Sequence, residues 1–100
     1  MNKDEEILMQ LIIKGGNGRS SAMKAIFAAR AGDFEKSELF MKECELDLTE
    51  AHNFQTKLIQ SEAAGESINI SLLTIHAQDH LMNALTVKDL AKEIIALHKK

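Results

Sequence analysis

No proline occurs anywhere in this 100-residue chain. Proline breaks helix interiors, because its ring removes a backbone donor and clashes with the preceding turn. Its absence leaves long helices free to run. The apolar content agrees. Hydrophobic residues make up 45% of the chain, yet there are only four phenylalanines and no tryptophan or tyrosine. The one valine is Val87, and the rest of the apolar set is mainly Ala, Leu, Ile and Met. Sheets favour β-branched and aromatic side chains, which fit a pleated, half-buried surface. Helices favour Ala, Leu, Met, Glu, Lys and Gln. An all-β domain is all but excluded, an α/β domain is disfavoured, and the expected class is all-α.

Punctuation divides the chain into three periodic segments. The first runs from about 4 to 31, with Asp4 as the expected N-cap and Glu5 and Glu6 near the positive end of the helix dipole. Its stripe reads Leu8, Leu11, Gly15, Gly18, Ala22, Ala25 and Ala29, a spacing of three and four. Gly32 suits a C′ position and Asp33 the next N-cap. The second segment runs from about 34 to 64, with Ser37, Met41, Cys44, Leu48, Ala51, Gln55 and Leu58 on its stripe and Gly65 at its end. Ser71 is the expected N-cap of the third, about 72 to 97. Short connections make sequential helices antiparallel neighbours, so the expected architecture is an antiparallel three-helix bundle. The chain reads as a single domain over 1–100.

Charge and cysteine usage narrow the function classes. Twelve basic and fifteen acidic side chains leave a net charge of −3. No basic stripe stands out, and aromatics are too few to stack bases, so nucleic-acid binding is not expected. The single cysteine, Cys44, cannot form an internal disulfide, which points to the cytoplasm. It reads as a small buried apolar group. No apolar run approaches the ~18 residues of a membrane span. The acidic start, Met1 to Glu6, lacks the form of a signal peptide. A domain this small buries only roughly 60–70% of its surface, so it would gain from oligomerisation.

Gly15-Gly16-Asn17-Gly18 interrupts the first segment. Each glycine costs ~1 kcal/mol relative to alanine inside a helix, which favours a loop. The three/four phase nevertheless carries through Gly15 and Gly18 without a slip. That continuity favours one helix, locally weak or kinked, with small residues that admit another backbone. The stretch is a poor phosphate cradle, because it lacks the Walker lysine-serine and follows no strand.

The third segment carries the candidate chemistry. His76, Asp79, His80 and Asn83 project from one face at offsets of three, four and seven. On the sequence reading, this face continues through Val87, Leu90 and Ile94 as the packing stripe. Ile75, Leu81, Met82 and Leu85 make the helix apolar on other sides too. A helix apolar nearly all round is a central helix. A lone three-helix bundle cannot enclose one, so either another chain or a partner is expected to cover it, which favours a homo-oligomer with His76, Asp79 and His80 at or near a subunit interface.

Three readings of that polar group compete. It could be a buried polar layer that fixes register and oligomer state. It could bind a metal, since His76 and His80 at i, i+4 can reach one ion and Asp79 can add an oxygen. The Glu after the first His that a zinc peptidase needs is absent. It could be a nucleophilic imidazole oriented by a carboxylate and a second histidine. A phosphorylation of His76 would need a donor other than bound ATP, because the chain has no Walker motif, kinase glycine loop or acidic magnesium cluster. That describes a relay between proteins. His52 and His98 read as a helix-surface or packing residue and an end residue. A non-catalytic or metal-binding oligomeric helical scaffold is the alternative function.

The segment Leu72-Leu73-Thr74-Ile75-His76-Ala77-Gln78-Asp79-His80-Leu81-Met82 resembles the active-site signature of the lactose/cellobiose-specific enzyme IIA family of the bacterial sugar phosphotransferase system. Similarity extends to Glu50-Ala51-His52-Asn53-Phe54-Gln55-Thr56, to Ala31-Gly32-Asp33-Phe34 and to Gly18-Arg19-Ser20. The resemblance implies a three-helix bundle assembled as a homotrimer. It implies that His76 takes phosphate from the phosphocarrier HPr and passes it to a cysteine of a cognate enzyme IIB, in uptake of a β-glucoside or β-galactoside. It implies supporting roles for Gln78 and His80. It also implies one divalent metal per trimer, commonly magnesium, held by Asp79. On a helical wheel Gln78 points away from the His76 face. The departure from the family pattern is the glycine cluster at 15–18. It leaves the histidine motif intact and is expected to loosen the first helix near the site.

Overall fold

The computed structural model describes residues 2–100. Three helices account for almost all of them: α1 (Lys3–Arg30), α2 (Phe34–Ala63) and α3 (Leu72–His98). Their bounds fall within a residue of those read from the sequence. The N-cap of α1 is the exception. Asn2, not Asp4, caps it, accepting a hydrogen bond from the Glu5 amide at 2.8 Å. Asp4 instead lies in the first turn with Glu5 and Glu6, where negative charge favours the helix dipole.

The connections follow their expected chemistry. Gly32 adopts φ +83° and Gly65 φ +92°, a region where a Cβ would be strained. At the first turn the amides of Gly32 and Asp33 donate to the carbonyls of Ala29 and Ala28. At the second, the amides of Gly65 and Glu66 donate to Glu62 and Ser61. Both patterns satisfy the orphan carbonyls of a helix end. Asp33 accepts from the Lys36 amide at 3.1 Å and Ser71 from the Thr74 amide at 3.3 Å.

Side-chain pairings fix an up-down-up bundle of 50 × 22 × 20 Å. The Ser37 hydroxyl, itself buried, donates to the Ala25 carbonyl at 2.8 Å. Lys14 pairs with Glu50 at 2.9 Å and Lys92 with Glu45 at 2.7 Å. The Glu50 carboxylate holds the Lys14 ammonium above the usual lysine range. Ala25 and Ala29 of α1 share a cluster with Ile95 of α3. Both α2 and α3 pack chiefly on α1 and meet each other only lightly. Within one chain the central helix is therefore α1, not α3.

Glycine and alanine make that packing possible. The helix runs unbroken through Gly15–Gly18, with Gly15 and Gly18 buried. A Cβ at Gly15 would lie 3.5 Å from the Leu81 α-carbon, and one at Gly18 only 2.5 Å from Leu48 Cδ2. The helices approach where the side chains are missing. Leu48 Cγ would also stand only 2.6 Å from that Gly18 Cβ, so the clash is with the branch point of a buried side chain and not its tip alone. Gly18→Ala gains ~1 kcal/mol of helix propensity but overpacks by about 1–3 kcal/mol. We expect a net loss of stability in urea unfolding, although alanine is the better helix former. Cys44 is fully buried among apolar neighbours, and burial pushes its thiol pKa up.

The inward face of α3 differs from the one read in the sequence. Ala77, Leu81, Ala84, Ala91 and Ile95 are buried. His76, Asp79, Asn83 and Leu90 are exposed, and His80 is half-buried. The sequence phase followed the larger side chains Val87, Leu90 and Ile94. The actual phase follows Leu81 and Ile95 together with alanines at seven-residue intervals, and Leu81 is the buried residue of α3 that meets Gly15 of α1. An apolar strip of α3 is left uncovered: Leu72 is 82% exposed, Leu97 66%, Ile75 57% and Leu90 57%. No helix among the described residues is long and apolar enough to cross a membrane.

Candidate functional site

The site lies in the first half of α3. At about 100° per residue, Asp79 falls within the uncovered strip, at offsets of seven, four and three from Leu72, Ile75 and Met82. His76 and Asn83 sit on one edge of that strip, exposed. His80 lies one turn beyond His76, with ring centroids 5.5 Å apart and planes tilted by 35°. The two imidazoles share one flank, as their i, i+4 spacing requires.

His80 leans toward α1. Its Cδ2 would stand 3.5 Å from a Cβ on Gly15, and its Nε2 only 3.0 Å from a Cβ on Gly16. The glycine departure is therefore not remote from the histidine motif: α1 folds it directly against the second histidine. Sequence reasoning missed this role. Its signal was the unslipped phase through Gly15 and Gly18, which requires the helix to continue past the motif.

Gln78 occupies the other flank. It is half-buried, and its carbonyl accepts from Gln55 Nε2 at 2.7 Å. Gln55 Nε2 also lies 4.0 Å from Met82 Sδ. Gln55 was readable only as a polar residue set in the apolar stripe of α2, with no partner legible for it. Beside Gln78 a groove of about 360 Å³ opens between the end of α2 and the start of α3, lined by Leu58, Ile59, Ile68, Ile70 and Ile75. The side chains of His76, Gln78, Asp79 and His80 thus do not converge on one point. His76 and His80 form a pair, Asp79 stands on the bare face, and Gln78 is tied to α2. His52 is exposed on α2, and His98 ends α3.

The donor set bears on the metal reading. Among the described residues no three His, Cys, Asp or Glu side chains group so as to hold an ion. Near the histidine pair, one chain offers a single carboxylate on the open face of α3, Asp79; Glu93, the other exposed carboxylate of that strip, lies fourteen residues further on. The residues fit a cation only where several chains bring their Asp79 side chains together. They do not form a zinc-type site within one protomer.

Comparison with known proteins supplies the context. The family described as "PTS system, Lactose/Cellobiose specific IIA subunit" matches residues 6–99. The lichenan-specific phosphotransferase enzyme IIA component of Bacillus subtilis (strain 168) is 54% identical over 101 residues, covering 100% of this chain and 92% of the relative. A crystal structure of the PTS cellobiose-specific enzyme IIA from Bacillus anthracis superposes with a TM-score of 0.96 at 52% identity, covering 99% of this chain and 91% of that one. The IIA(Chitobiose) chain in solution structures of its complex with HPr follows at a TM-score of 0.86 and 38% identity, covering 99% and 96% of the two chains. The same three helices thus carry both the sequence match and the structural match across nearly their whole length, and the chain belongs to the lactose/cellobiose-specific IIA family of the sugar phosphotransferase system.

Proposed function

We propose that this chain carries a phosphoryl group on His76, taking it from phospho-HPr and giving it to a cysteine of a cognate enzyme IIB. The observation that carries the reading is the His76–His80 pair, 5.5 Å apart on α3 with His76 exposed beside the bare strip. An exposed imidazole can meet a donor protein in line. In that transfer the lone pair of a His76 ring nitrogen forms the new N–P bond. The N–P bond of the HPr phosphohistidine breaks, its electron pair staying on the HPr ring. A proton leaves the His76 ring and the departing imidazole takes one up. Onward transfer to a thiolate reverses the roles. Little covalent work falls to the protein, so positioning and charge stabilisation dominate. His80 stands where it can donate to the phosphoryl oxygens, and Gln78 supports the site from its bond to Gln55. HPr is the partner in the complex of the similar chitobiose chain. Such a relay belongs in the cytoplasm, serving a membrane transporter for a β-linked sugar.

The uncovered strip of α3 supports a homotrimer. Three copies that bury Leu72, Ile75, Leu90 and Leu97 against one another also bring three Asp79 carboxylates together. Like charges so placed repel. A divalent cation, magnesium by its oxygen preference, would neutralise them. Asp79→Leu replaces the repelling groups with apolar surface. Its trimer should be at least as heat-stable in EDTA as the wild-type trimer is with magnesium. A variant trimer weaker than the metal-loaded wild type would mean the ion is structural scaffolding.

Incubation with phospho-HPr tests the function. The chain should acquire an acid-labile, base-stable label and lose it to the IIB partner. Absence of label on the wild type overturns the reading.

A further inference from the structure

Two adjacent glycines, Gly15 and Gly16, sit in mid-helix, where alanine would serve the helix better. Neither has a positive φ among the backbone outliers, so the turn geometry does not demand glycine. Their surroundings differ. A Cβ on Gly15 would make ordinary contacts at 3.5–3.6 Å with His80 Cδ2 and the Leu81 backbone. A Cβ on Gly16 would meet His80 alone: Nε2 at 3.0 Å, then Cδ2 and Cε1 at 3.9 and 4.0 Å. The two ring carbons flanking Nε2 are nearly equidistant, so the apex of the ring points at the missing side chain. Packing alone sets the ring angle, because no side chain among the described residues hydrogen-bonds to it.

We propose that Gly16 is a positioning residue for phosphoryl transfer: its bare α-carbon leaves the Nε2 apex of His80 uncovered and holds the second imidazole 5.5 Å from His76. The inference rests on the phosphoryl-carrier reading above. A methyl group at 3.0 Å is nearer than carbon and nitrogen pack. It either caps Nε2 or pushes the ring off α1, and both change how the second imidazole meets the phosphoryl group. The helix is locally weakened for the sake of that nitrogen, as functional sites commonly require. Gly15 is a spacer between backbones and tolerates alanine.

The test compares Gly16→Ala with Gly15→Ala in the full chain, using phospho-HPr as donor. Gly16→Ala should fold normally, with an unchanged or higher melting temperature. Its kcat for phosphoryl acceptance should fall about tenfold or more, since misplacing a positioning group by about 1 Å can cost up to about 10²-fold, with KM for phospho-HPr within twofold. The NMR signal of the His80 ring should move while those of His52 and His98 stay in place. Gly15→Ala should keep kcat within twofold. In a His80→Ala background, Gly16→Ala should add less than a twofold loss. A Gly16→Ala kcat within twofold of the wild type overturns the proposal. So does an undiminished loss in the His80→Ala background, or an unmoved His80 signal. A wild type that accepts no phosphate would overturn the carrier reading itself, a result distinct from each of these.

Discussion

His76→Gln is expected to abolish phosphoryl acceptance while leaving the bundle intact. The side chain is exposed on α3, and only the neighbouring His80 ring is placed against it. Exposed substitutions of this kind usually change stability by no more than about 0.5 kcal/mol. Glutamine keeps the length and polarity but not the nucleophile, because its amide nitrogen lone pair is delocalised. Removing a covalent nucleophile costs on the order of 10³–10⁶ in rate, which here means a fall to background. His80→Ala should give a partial loss, since His80 orients and stabilises but forms no bond to phosphorus. Single-turnover labelling by phospho-HPr, alongside circular dichroism, separates the two. A labelled His76→Gln protein would assign the nucleophile elsewhere.

Leu81→Ala is expected to have the largest effect on stability. Leu81 is fully buried, one of the largest side chains so placed. Its backbone stands where a Gly15 Cβ would touch it, so the neighbouring helix cannot slide inward to fill a void. Deleting a leucine in such a site costs about 2–5 kcal/mol through lost transfer energy and the cavity. That is a large part of the roughly 5–15 kcal/mol of a small domain. The urea midpoint should drop steeply with the slope unchanged. Leu90→Ala provides the contrast. Leu90 is exposed within the chain, so its loss should weaken assembly rather than the protomer, and the effect should depend on protein concentration. An equal loss at all concentrations would count against burial of that strip between copies.

Most of the fold was legible because helix ends and stripes are local. Gly32, Asp33, Gly65 and Ser71 each act through partners within five residues. The stripes of α1 and α2 keep one unbroken three/four phase, through small residues in α1 from Gly15 onward, and they pack as read. The inward face of α3 was not legible, because three of its five buried positions are Ala77, Ala84 and Ala91, while larger apolar side chains lie on the open side. Alanine carries little hydropathy, so it sets a weak phase beside larger apolar residues. The histidine pair was legible from its i, i+4 spacing. The seat of His80 on Gly16 and the tie between Gln78 and Gln55 were not. They join residues on different helices, and only the packed register brings them together. The uncovered strip was foreseen from an excess of apolar residues on α3, whereas the place of α1 at the middle of the protomer was not.

One imidazole, His76 on the exposed edge of α3, is the proposed phosphoryl carrier. The most direct measurement of that role is the position of phosphate after the wild-type chain has been incubated with phospho-HPr, read by fragmentation mass spectrometry under alkaline conditions and by two-dimensional NMR of the histidine rings. The predicted result is phosphate on a ring nitrogen of His76 and on no other residue. Phosphate on His52, His80 or His98, or a chain that carries none, would contradict it.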